Sequence, residues 1–360
     1  MAACRRPQKN EDLPGRRGMK KTMRAAVCKD FETIEIEDVP VPEPGRNEVL
    51  VQVRATGLCG SDLHGYEGTH PMIEWPVILG HEASGIIAAC GDDVQGCNSG
   101  DEVVIEPLFT CGICPACVSG RYHLCPSLKF LGHQVPGTLA EYVVADSFFI
   151  HSKPGNVPFE EAALTEPAAS PLHAVERCDI RLGDFVVIMG SGVTGSFLVQ
   201  YSVAKGAEVL VSDPVAFKLE LAREFGAHHA INPEKDDLLQ TVQRLTGGAG
   251  ADTVFEAVGS SETLALTTSL VKRGGTILLI GYTGKDIEPF SLSTVTLLEL
   301  NVLGSLAYCH DFQAVLRLMS QGTVKIKPLI TKKLPLEKVE EGILMMKEGK
   351  DIMKIVVTYD

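Results

Sequence analysis

The pattern of apolar and polar positions divides the chain into a β-rich first part and a middle part in which strands and helices alternate. From Met23 to Val144, short segments alternate apolar and polar residues, as in Thr33–Glu37, which predicts strands of a compact barrel-like domain. From Phe159 onward, Ala, Leu and Glu stand at helix-compatible positions. Continuous apolar runs then follow that suit buried parallel strands and are separated by helical segments: Asp184–Met189, Glu208–Ser212, Thr253–Val258, Thr276–Ile280 and Asn301–Ser305.

This order of elements predicts a two-domain protein of the α/β plus β class. Alternating strands and helices form a doubly wound parallel sheet, which we expect over residues 170–309. The β-rich domain is expected over residues 23–169 and 310–360, because the final strand Lys354–Thr358 is predicted to return to it. Residues 1–22 are expected to form a disordered tail.

A glycine-rich turn joins the first buried strand of the middle part to a helix. The turn reads Gly190-Ser191-Gly192-Val193-Thr194-Gly195, and the next strand ends at Asp213. Strand, GxGxxG, helix, strand and terminal acid are the dinucleotide-binding combination, in which a pyrophosphate lies at the helix N-terminus. Asp213 is predicted to bind the adenosine ribose and to repel a 2′-phosphate, which favours NAD over NADP; the alternative is an ordinary turn residue before Pro214. Further cofactor-binding residues are expected after later strands: Val258, Ile280, Gly281, Ser305 and Leu306.

Two parts of the sequence carry the ligands that Zn²⁺ prefers. The stretch Cys59–Glu82 supplies a thiol, an imidazole and carboxylates, which we interpret as an open, catalytic zinc site. Within residues 107–130, four cysteines follow the spacing C-x2-C-x2-C-x7-C, and four thiolates close a tetrahedron. They predict a structural zinc lobe, the alternative being four unrelated buried thiols: Cys111, Cys114, Cys117 and Cys125. The remaining cysteines considered have no ligand spacing and are expected to be buried apolar side chains: Cys90, Cys97, Cys178 and Cys309.

Composition restricts the possible partners. The 360-residue chain has a formal net charge of -13, which argues against nucleic acid because binding phosphates needs a basic surface. No apolar run approaches the roughly 18 residues of a membrane span, so no membrane partner is expected. Eleven cysteines without a signal peptide favour a reducing compartment, and we expect a cytoplasmic protein. Met1–Lys21 is polar and basic, but Glu11 and Asp12 count against a transit peptide.

Taken together, these motifs carry a family resemblance. Gly80-His81-Glu82-Ala83-Ser84-Gly85, followed by Gly91 and Val94, resembles the signature of zinc-containing alcohol dehydrogenases in the medium-chain dehydrogenase superfamily. Cys59-Gly60-Ser61-Asp62, the cysteine lobe and the glycine turn fall in that family's order and spacing. The resemblance implies a GroES-like catalytic domain with an inserted Rossmann domain and an active site between them. It also implies zinc-dependent oxidation of a small secondary alcohol to a ketone, with hydride transfer to NAD, two zinc ions per chain, and a homodimer or homotetramer.

Within that family, the chain is most similar to the polyol (sorbitol) and threonine dehydrogenase branch. His81-Glu82 together with Glu166-Pro167 resembles the polyol enzymes. The tract Lys218–Arg223 resembles threonine dehydrogenases and implies that Lys218 contacts adenosine. Ala307 stands where sorbitol-type enzymes carry a substrate-binding arginine, which weakens sorbitol as the substrate. L-threonine 3-dehydrogenase and 2,3-butanediol dehydrogenase activities therefore remain alternatives.

The resemblance also implies roles at the catalytic zinc. Its ligands would be Cys59 and His81 with Glu82 and Glu166, where the two glutamates bind directly, through water or in alternation. Protons would pass from Ser61 through the nicotinamide ribose to His64, and the i, i+3 spacing of Ser61 and His64 fits a helix that starts after Cys59. Two alternatives of another class are a zinc-ribbon binding module and a relative that binds NAD and zinc without turnover. Three residues are expected to line the substrate pocket or to pack: His70, Trp75 and Phe130. His228 and His229 are expected to be turn residues.

Overall fold

The protein is described by a computed structural model that covers residues 21–281, 291–349 and 351–359. The expected N-terminal tail, residues 1–22, therefore lies outside the described residues except at its end. Thr22 already begins the first strand, one residue before the expected start of the β-rich domain.

The described residues form strands in every part of the chain and most of their helices in the middle and final parts. In chain order the strands are β1 (Thr22–Asp30), β2 (Thr33–Pro40), β3 (Glu48–Gly57), β4 (Val77–Ile78), β5 (Glu82–Cys90), β6 (Glu102–Ile105), β7 (Leu108–Phe109), β8 (Lys129–Phe130), β9 (Tyr142–Asp146), β10 (Ile150–Ser152), β11 (Phe185–Met189), β12 (Glu208–Ser212), β13 (His229–Ile231), β14 (Ala251–Glu256), β15 (Val271–Leu279), β16 (Asn301–Gly304), β17 (Ile330–Pro335) and β18 (Lys354–Thr358). The helices are α1 (Gly60–Tyr66), α2 (Pro115–Val118), α3 (Phe159–Ala162), α4 (Thr165–Glu176), α5 (Val193–Ala204), α6 (Ala216–Glu224), α7 (Leu238–Leu245), α8 (Ser261–Leu270), α9 (Leu292–Leu298), α10 (Phe312–Ser320) and α11 (Val339–Glu348). Short 3₁₀ helices lie at Tyr122–Leu124, Ser147–Phe149, Lys327–Leu329 and Leu336–Lys338. Within the described part of the chain, none of these helices is long and apolar enough to cross a bilayer.

The β-rich domain is built around β3, a long central strand. β3 lies in a sheet of order β10-β6-β5-β3-β18-β17, and β9 also pairs with it; β2, β1 and β4 form a second sheet. Val49, Val51 and Val53 on one face of β3 are buried, and so are Leu50 and Thr56 on the other, as expected for a central strand packed on both sides. The final strand β18 pairs with β3, with Val356 opposite Gly57, so the last strand lies in the sheet of the β-rich domain.

The middle part forms a parallel sheet of order β13-β12-β11-β14-β15-β16. The carboxyl ends of its strands are in register, because Met189 lies opposite Glu256, Glu256 opposite Leu279, and Leu279 opposite Gly304. The loops that follow these strands therefore meet at one edge of the sheet, where ligands bind in doubly wound folds. The fold class predicted from the sequence is confirmed.

Two details differ in position from the sequence pattern. α4 runs continuously across the expected domain boundary at 169/170, and α10 packs against it. His229 is wrongly expected in a turn, because it begins β13 and its Nε2 lies 2.9 Å from Glu208 Oε1. A strand of three half-buried residues at the edge of a sheet has too short an apolar pattern to be recognised.

Candidate active site

The side chains of Cys59, His81 and Glu82 meet where β3 ends and where β5 and α1 begin. One ligand atom from each lies within 4.8 Å of the other two. Gly57 and Glu82 are directly opposite in the β3–β5 pair, and Cys59 follows as the N-cap of α1. A Cβ atom at position 57 would come within 2.0 Å of Glu82 Oε2, so only glycine leaves room for this carboxylate. We call these three residues the catalytic trio.

Asp62 is a buried carboxylate that holds two parts of the trio together. Its oxygens accept hydrogen bonds from the backbone amides of Cys59 (2.8 Å) and Gly80 (2.9 Å), and Oδ1 lies 3.8 Å from His81 Nδ1. Burial raises the pKa of Asp62, an effect that the nearby His81 and these amides oppose. At 3.8 Å the carboxylate and the ring interact through charge and not through a hydrogen bond, and a carboxylate beside a metal-binding histidine makes the ring more basic as a ligand.

A buried lysine from the last strand faces the trio. Lys354 Nζ lies 2.6 Å from Glu82 Oε1 and donates to the carbonyl of Leu58 at 3.0 Å. Burial opposes the charge on Lys354, but Glu82 and Cys59 together raise its pKa. Removing one partner of such a buried pair leaves an uncompensated charge. Lys354 therefore holds the Glu82 side chain in position and balances its negative charge.

Glu166, near the start of α4, lies beside the trio rather than within it. Burial and the neighbouring Glu82 raise its pKa to about 7, although His81 acts in the opposite direction. The fully buried Tyr308 also faces Glu166, and burial together with this carboxyl raises the pKa of the tyrosine hydroxyl well above its ordinary value. Glu166 and Tyr308 thus form one wall of the site.

The expected proton-path residues lie on α1, and the helix predicted after Cys59 is confirmed. Ser61 and His64 are half-buried and one helical turn apart. His64 Nδ1 lies 3.0 Å from Thr69 Oγ1, and this contact orients the His64 ring beside the last turn of α1.

The trio has the properties of a cation site. His81 Nδ1 and Glu82 Oε2 are buried and have no hydrogen-bond partner among the described residues. Burial opposes protonation of His81, yet Asp62 and Cys59 raise its pKa well above its ordinary value. The surroundings therefore favour positive charge at this point. A thiol, an imidazole and a carboxylate are ligands that zinc takes, so the residues present fit a zinc ion.

The cysteine lobe gathers four sulfur atoms on a short segment. One ligand atom from each cysteine lies within 4.8 Å of the others, with 3.5 Å between Cys114 and Cys117 and 3.6 Å between Cys125 and Cys111. The backbone amides of Ile113 and Cys114 lower the pKa of Cys111 to about 6, which favours a thiolate. Four thiol groups in this arrangement fit a closed zinc site.

Polar contacts connect the lobe to the turn that carries Tyr308. Tyr122 donates to Glu106 at 2.7 Å and accepts from the backbone amide of His310 at 2.7 Å. The Cys309 thiol donates to the carbonyl of Gly120 at 2.9 Å. The expectation of a buried apolar Cys309 is therefore wrong, because the thiol is half-buried and hydrogen-bonded. Of the other cysteines so interpreted, Cys178 is buried, but two are only half-buried: Cys90 and Cys97.

The glycine turn between β11 and α5 is tightly folded. Gly190 has φ +96°, and a Cβ at Gly195 would lie 2.0 Å from the Gly190 carbonyl, whereas a Cβ at Gly192 would meet open space. Asp213 accepts hydrogen bonds from the amides of Ser191 and Val215, both at 2.8 Å. The turn thus leaves space at the N-terminus of α5, with Asp213 anchored beside it.

The ends of β14, β15 and β16 complete this edge. Glu256 is buried, and its Oε1 accepts from the Val258 amide, the Gly259 amide and the Thr263 hydroxyl. Ser305 Oγ is buried without a partner in the described segments. The two exposed apolar residues here are Val258 and Leu306. An aromatic or heteroaromatic ring bound here would meet the apolar side chains of Val258 and Leu306 and could form a hydrogen bond with the Ser305 hydroxyl.

Comparisons with known proteins agree with both halves of this geometry. Residues 45–155 match the alcohol dehydrogenase GroES-like domain, and residues 193–321 match the zinc-binding dehydrogenase domain. The sorbitol dehydrogenase of Bacillus subtilis (strain 168) is 34% identical over 94% of this chain and 97% of its own length. The chain belongs to the zinc-type alcohol dehydrogenase family.

Two further relatives of this alcohol dehydrogenase are named for different alcohol substrates. The L-threonine 3-dehydrogenase of Pyrococcus horikoshii is 35% identical over 88% of this chain and 92% of its own length. The crystal structure of 2R,3R-butanediol dehydrogenase from Bacillus subtilis has a TM-score of 0.87 and 30% identity, and covers 94% of this chain and 100% of its own. The chain is accordingly a zinc-binding, NAD(P)-dependent alcohol oxidoreductase of the polyol branch.

The dehydrogenase site includes residues that the sequence pattern did not indicate. Asp62 could have been found as an acid in the first turn after Cys59. Lys354 and Tyr308 carry no local signal, because each reaches the site from a distant part of the chain; 272 positions separate Lys354 from Glu82. Glu256 likewise resembles any residue at a strand end. Buried charges of this kind become visible only when the fold brings them together.

A cavity of about 830 Å³ lies in the β-rich domain, next to the loop that carries His133. Trp75 and His133 line it, and the ring of His133 is 4.5 Å from that of His70 and 5.6 Å from that of Phe130, centroid to centroid. The three residues expected either to line a pocket or to pack therefore belong to this region. Burial lowers the pKa of His133 to about 3, so its ring is neutral.

Proposed function

We propose that this alcohol dehydrogenase oxidises a secondary alcohol carrying further hydroxyl groups, of the polyol or diol type, to a ketone and transfers the hydride to NAD. The observation that carries the proposal is the trio of Cys59, His81 and Glu82 within 4.8 Å, with Glu166 beside it. L-threonine oxidation is the second candidate, favoured by the tract Lys218–Arg223.

Zinc in the trio would be held by Cys59 and His81 together with Glu82 or Glu166. Bound there, it supplies a Lewis acid that makes an alcohol hydroxyl more acidic. Asp62 places a negative charge beside the His81 ring, and Lys354 balances the charge of Glu82. Because its pKa is raised, the Glu166 carboxyl can both take up and release a proton close to the substrate.

The substrate proton is assigned to a path along α1. Ser61 would take it from the hydroxyl that is oxidised, the nicotinamide ribose would carry it to His64, one helical turn further, and His64 would release it to solvent. His64 suits the final step because an imidazole can both accept and donate a proton, and the contact between its Nδ1 and Thr69 Oγ1 holds the ring beside α1.

NAD is assigned to the edge of the parallel sheet. The pyrophosphate would lie at Gly190, Gly192, Val193, Thr194 and Gly195, where the backbone leaves open space at a helix N-terminus. Each oxygen of Asp213 accepts one amide, and a carboxylate oxygen has room for a second donor, so ribose hydroxyls can be bound as well. The remaining contacts are assigned to Lys218, Val258, Ile280, Gly281, Ser305 and Leu306.

The second zinc is assigned to Cys111, Cys114, Cys117 and Cys125, where it would fix the lobe. Free thiols at these positions imply a reducing compartment, which supports a cytoplasmic location. A homodimer or homotetramer is supported by the exposed edge of the parallel sheet. There β16 pairs only with β15 among the described strands, and apolar side chains are exposed on and before it: Leu292, Leu297 and Val302.

A substrate panel tests the function. Polyols, 2,3-diols, simple secondary alcohols and L-threonine are offered with NAD to zinc-loaded protein, and NADH formation is followed by absorbance. We expect turnover of polyols or diols that a chelator abolishes and added zinc restores. If no alcohol reduces NAD, the chain is a relative that binds zinc and NAD without turnover; if only L-threonine does, the second candidate is correct.

A further inference from the structure

His133 is a buried imidazole with no polar partner for either ring nitrogen. Its exposed fraction is 9%, and neither Nδ1 nor Nε2 makes a hydrogen bond to any described residue. A buried polar group without a partner is costly, and such groups in native proteins usually have a role or an additional partner. Two orphan nitrogens on one ring therefore point to a ligand.

The loop that carries His133 is pressed against the residue before His81. A Cβ at Gly132, which has φ +76°, would lie 2.6 Å from the Gly80 carbonyl oxygen, and a Cβ at Gly137 would lie 2.3 Å from it. That carbonyl also accepts the amide of Thr138 at 2.9 Å. The position of the His133 ring relative to the trio is consequently fixed by backbone contacts, and its centroid is 5.5 Å from that of His81.

The neighbours of His133 do not satisfy it. His70 Nδ1 accepts the amide of Met72 at 3.3 Å, and its ring meets His133 through ring contact only. Phe130 offers an apolar face. His133 lines the 830 Å³ cavity, but both of its ring nitrogens are covered. A turn of the ring about its Cβ–Cγ bond would present a nitrogen to a partner in the cavity.

The chemistry of the ring selects the partner. A neutral imidazole offers one donor and one acceptor, and a hydroxyl group offers the same pair in return. A carboxylate or phosphate would use the donor alone. Because the His133 and His81 rings are in contact, a ligand that reaches both carries its polar groups on carbons close together.

Building on the function proposed above, we propose that His133 binds a second hydroxyl of the substrate, on a carbon next to the one oxidised, and thereby selects vicinal diols over simple alcohols. His133 acts as a specificity residue, and the trio remains the reacting centre.

Two substrates that differ by one hydroxyl, 2,3-butanediol and 2-butanol, test this role. We expect the ratio of their kcat/KM values to favour the diol in the native enzyme and to fall about tenfold or more in His133→Phe, because one buried hydrogen bond is lost. His133→Gln, whose amide also donates and accepts, should retain more of the ratio. His229→Gln, a histidine on the far sheet edge, is the matched control and should leave the ratio unchanged.

A binding measurement makes the test independent of turnover. Trp75 is the single tryptophan and lines the same cavity as His133, so its fluorescence reports ligand entry. We expect 2,3-butanediol to bind more tightly than 2-butanol in the native protein and to lose that advantage in His133→Phe. A native enzyme with no preference for the diol, or variants with an unchanged preference, would overturn the assignment of His133 to substrate and leave water as its partner. Absence of all turnover contradicts the proposed function, whereas the fluorescence titration still decides the role of His133.

Discussion

The cysteine lobe and the catalytic trio are both groups of metal-binding side chains, but they are built in opposite ways. The lobe takes four identical ligands from residues 111–125, and its sulfur atoms are held by local amides. The trio takes three different ligands from two segments and is surrounded by buried charges, of which Asp62 lies on α1 and Lys354 comes from the last strand. A site that only fixes a loop can be specified locally, whereas a site for chemistry requires the whole domain.

The largest effect is expected when one zinc ligand of the catalytic trio is removed and the cysteine lobe is left intact. Cys59→Ser should lower kcat/KM by about 1,000-fold or more, because metal-assisted activation supplies several kcal/mol. Zinc analysis should then find one ion per chain instead of two, with the lobe still loaded. A variant that kept both ions and full activity would show that Cys59 is not a ligand.

The buried charge behind the trio is tested by Lys354→Met. Without zinc, we expect the free energy of unfolding to fall by about 3–5 kcal/mol, because Glu82 is left as an unpaired buried charge. Urea denaturation measures this, and adding Glu82→Gln should recover part of the loss. Lys333→Met is the matched control: its exposed pair with Glu160 is worth at most about 1 kcal/mol. Equal losses in the two lysine variants would contradict the difference between buried and surface charge.

The support behind His81 is tested by Asp62→Asn. In this variant the side-chain NH₂ group of the asparagine faces a backbone amide that Asp62 accepts, and the negative charge beside His81 is lost. We expect the zinc affinity of the catalytic site to fall about 10- to 100-fold. Competition with a chelator measures this while the lobe serves as an internal reference. Asp236→Asn, on the exposed surface, controls for the loss of one negative charge. If the affinity of the lobe changed equally, Asp62 would act on overall stability instead of on His81.

A smaller effect is expected at the coenzyme edge. Asp213→Ala should raise KM for NAD by about tenfold and narrow the discrimination against NADP, since one charged hydrogen-bonding partner of the ribose is lost. The two amides that Asp213 accepts also lose their partner, so the turn loosens for both coenzymes. The ratio of kcat/KM values for NAD and NADP separates the effects: loosening alone lowers both values and leaves the ratio as it was.

The contrast between the two metal sites also explains how far the sequence could be interpreted. The lobe, the glycine turn and the parallel strands are local patterns, so spacing and periodicity predicted them. Cys59, His81 and Glu82 were found as a stretch with suitable ligands, and Glu166 through a resemblance. Tyr308 and His133 were missed because their significance lies in what surrounds them after folding. An orphan nitrogen or a buried hydroxyl is a property of the interior, and periodicity carries no information about it.

Stepwise removal of zinc tests the central claim most directly, namely that one site is open and serves the reaction while the other is closed and holds the fold. A chelator is added to the fully loaded enzyme, and released zinc, NAD reduction and thermal stability are followed together. We expect activity to disappear with the first zinc ion per chain while the melting temperature remains near its initial value, and the melting temperature to fall with the second. Simultaneous loss of activity and stability with the first ion would contradict the separation of the two roles.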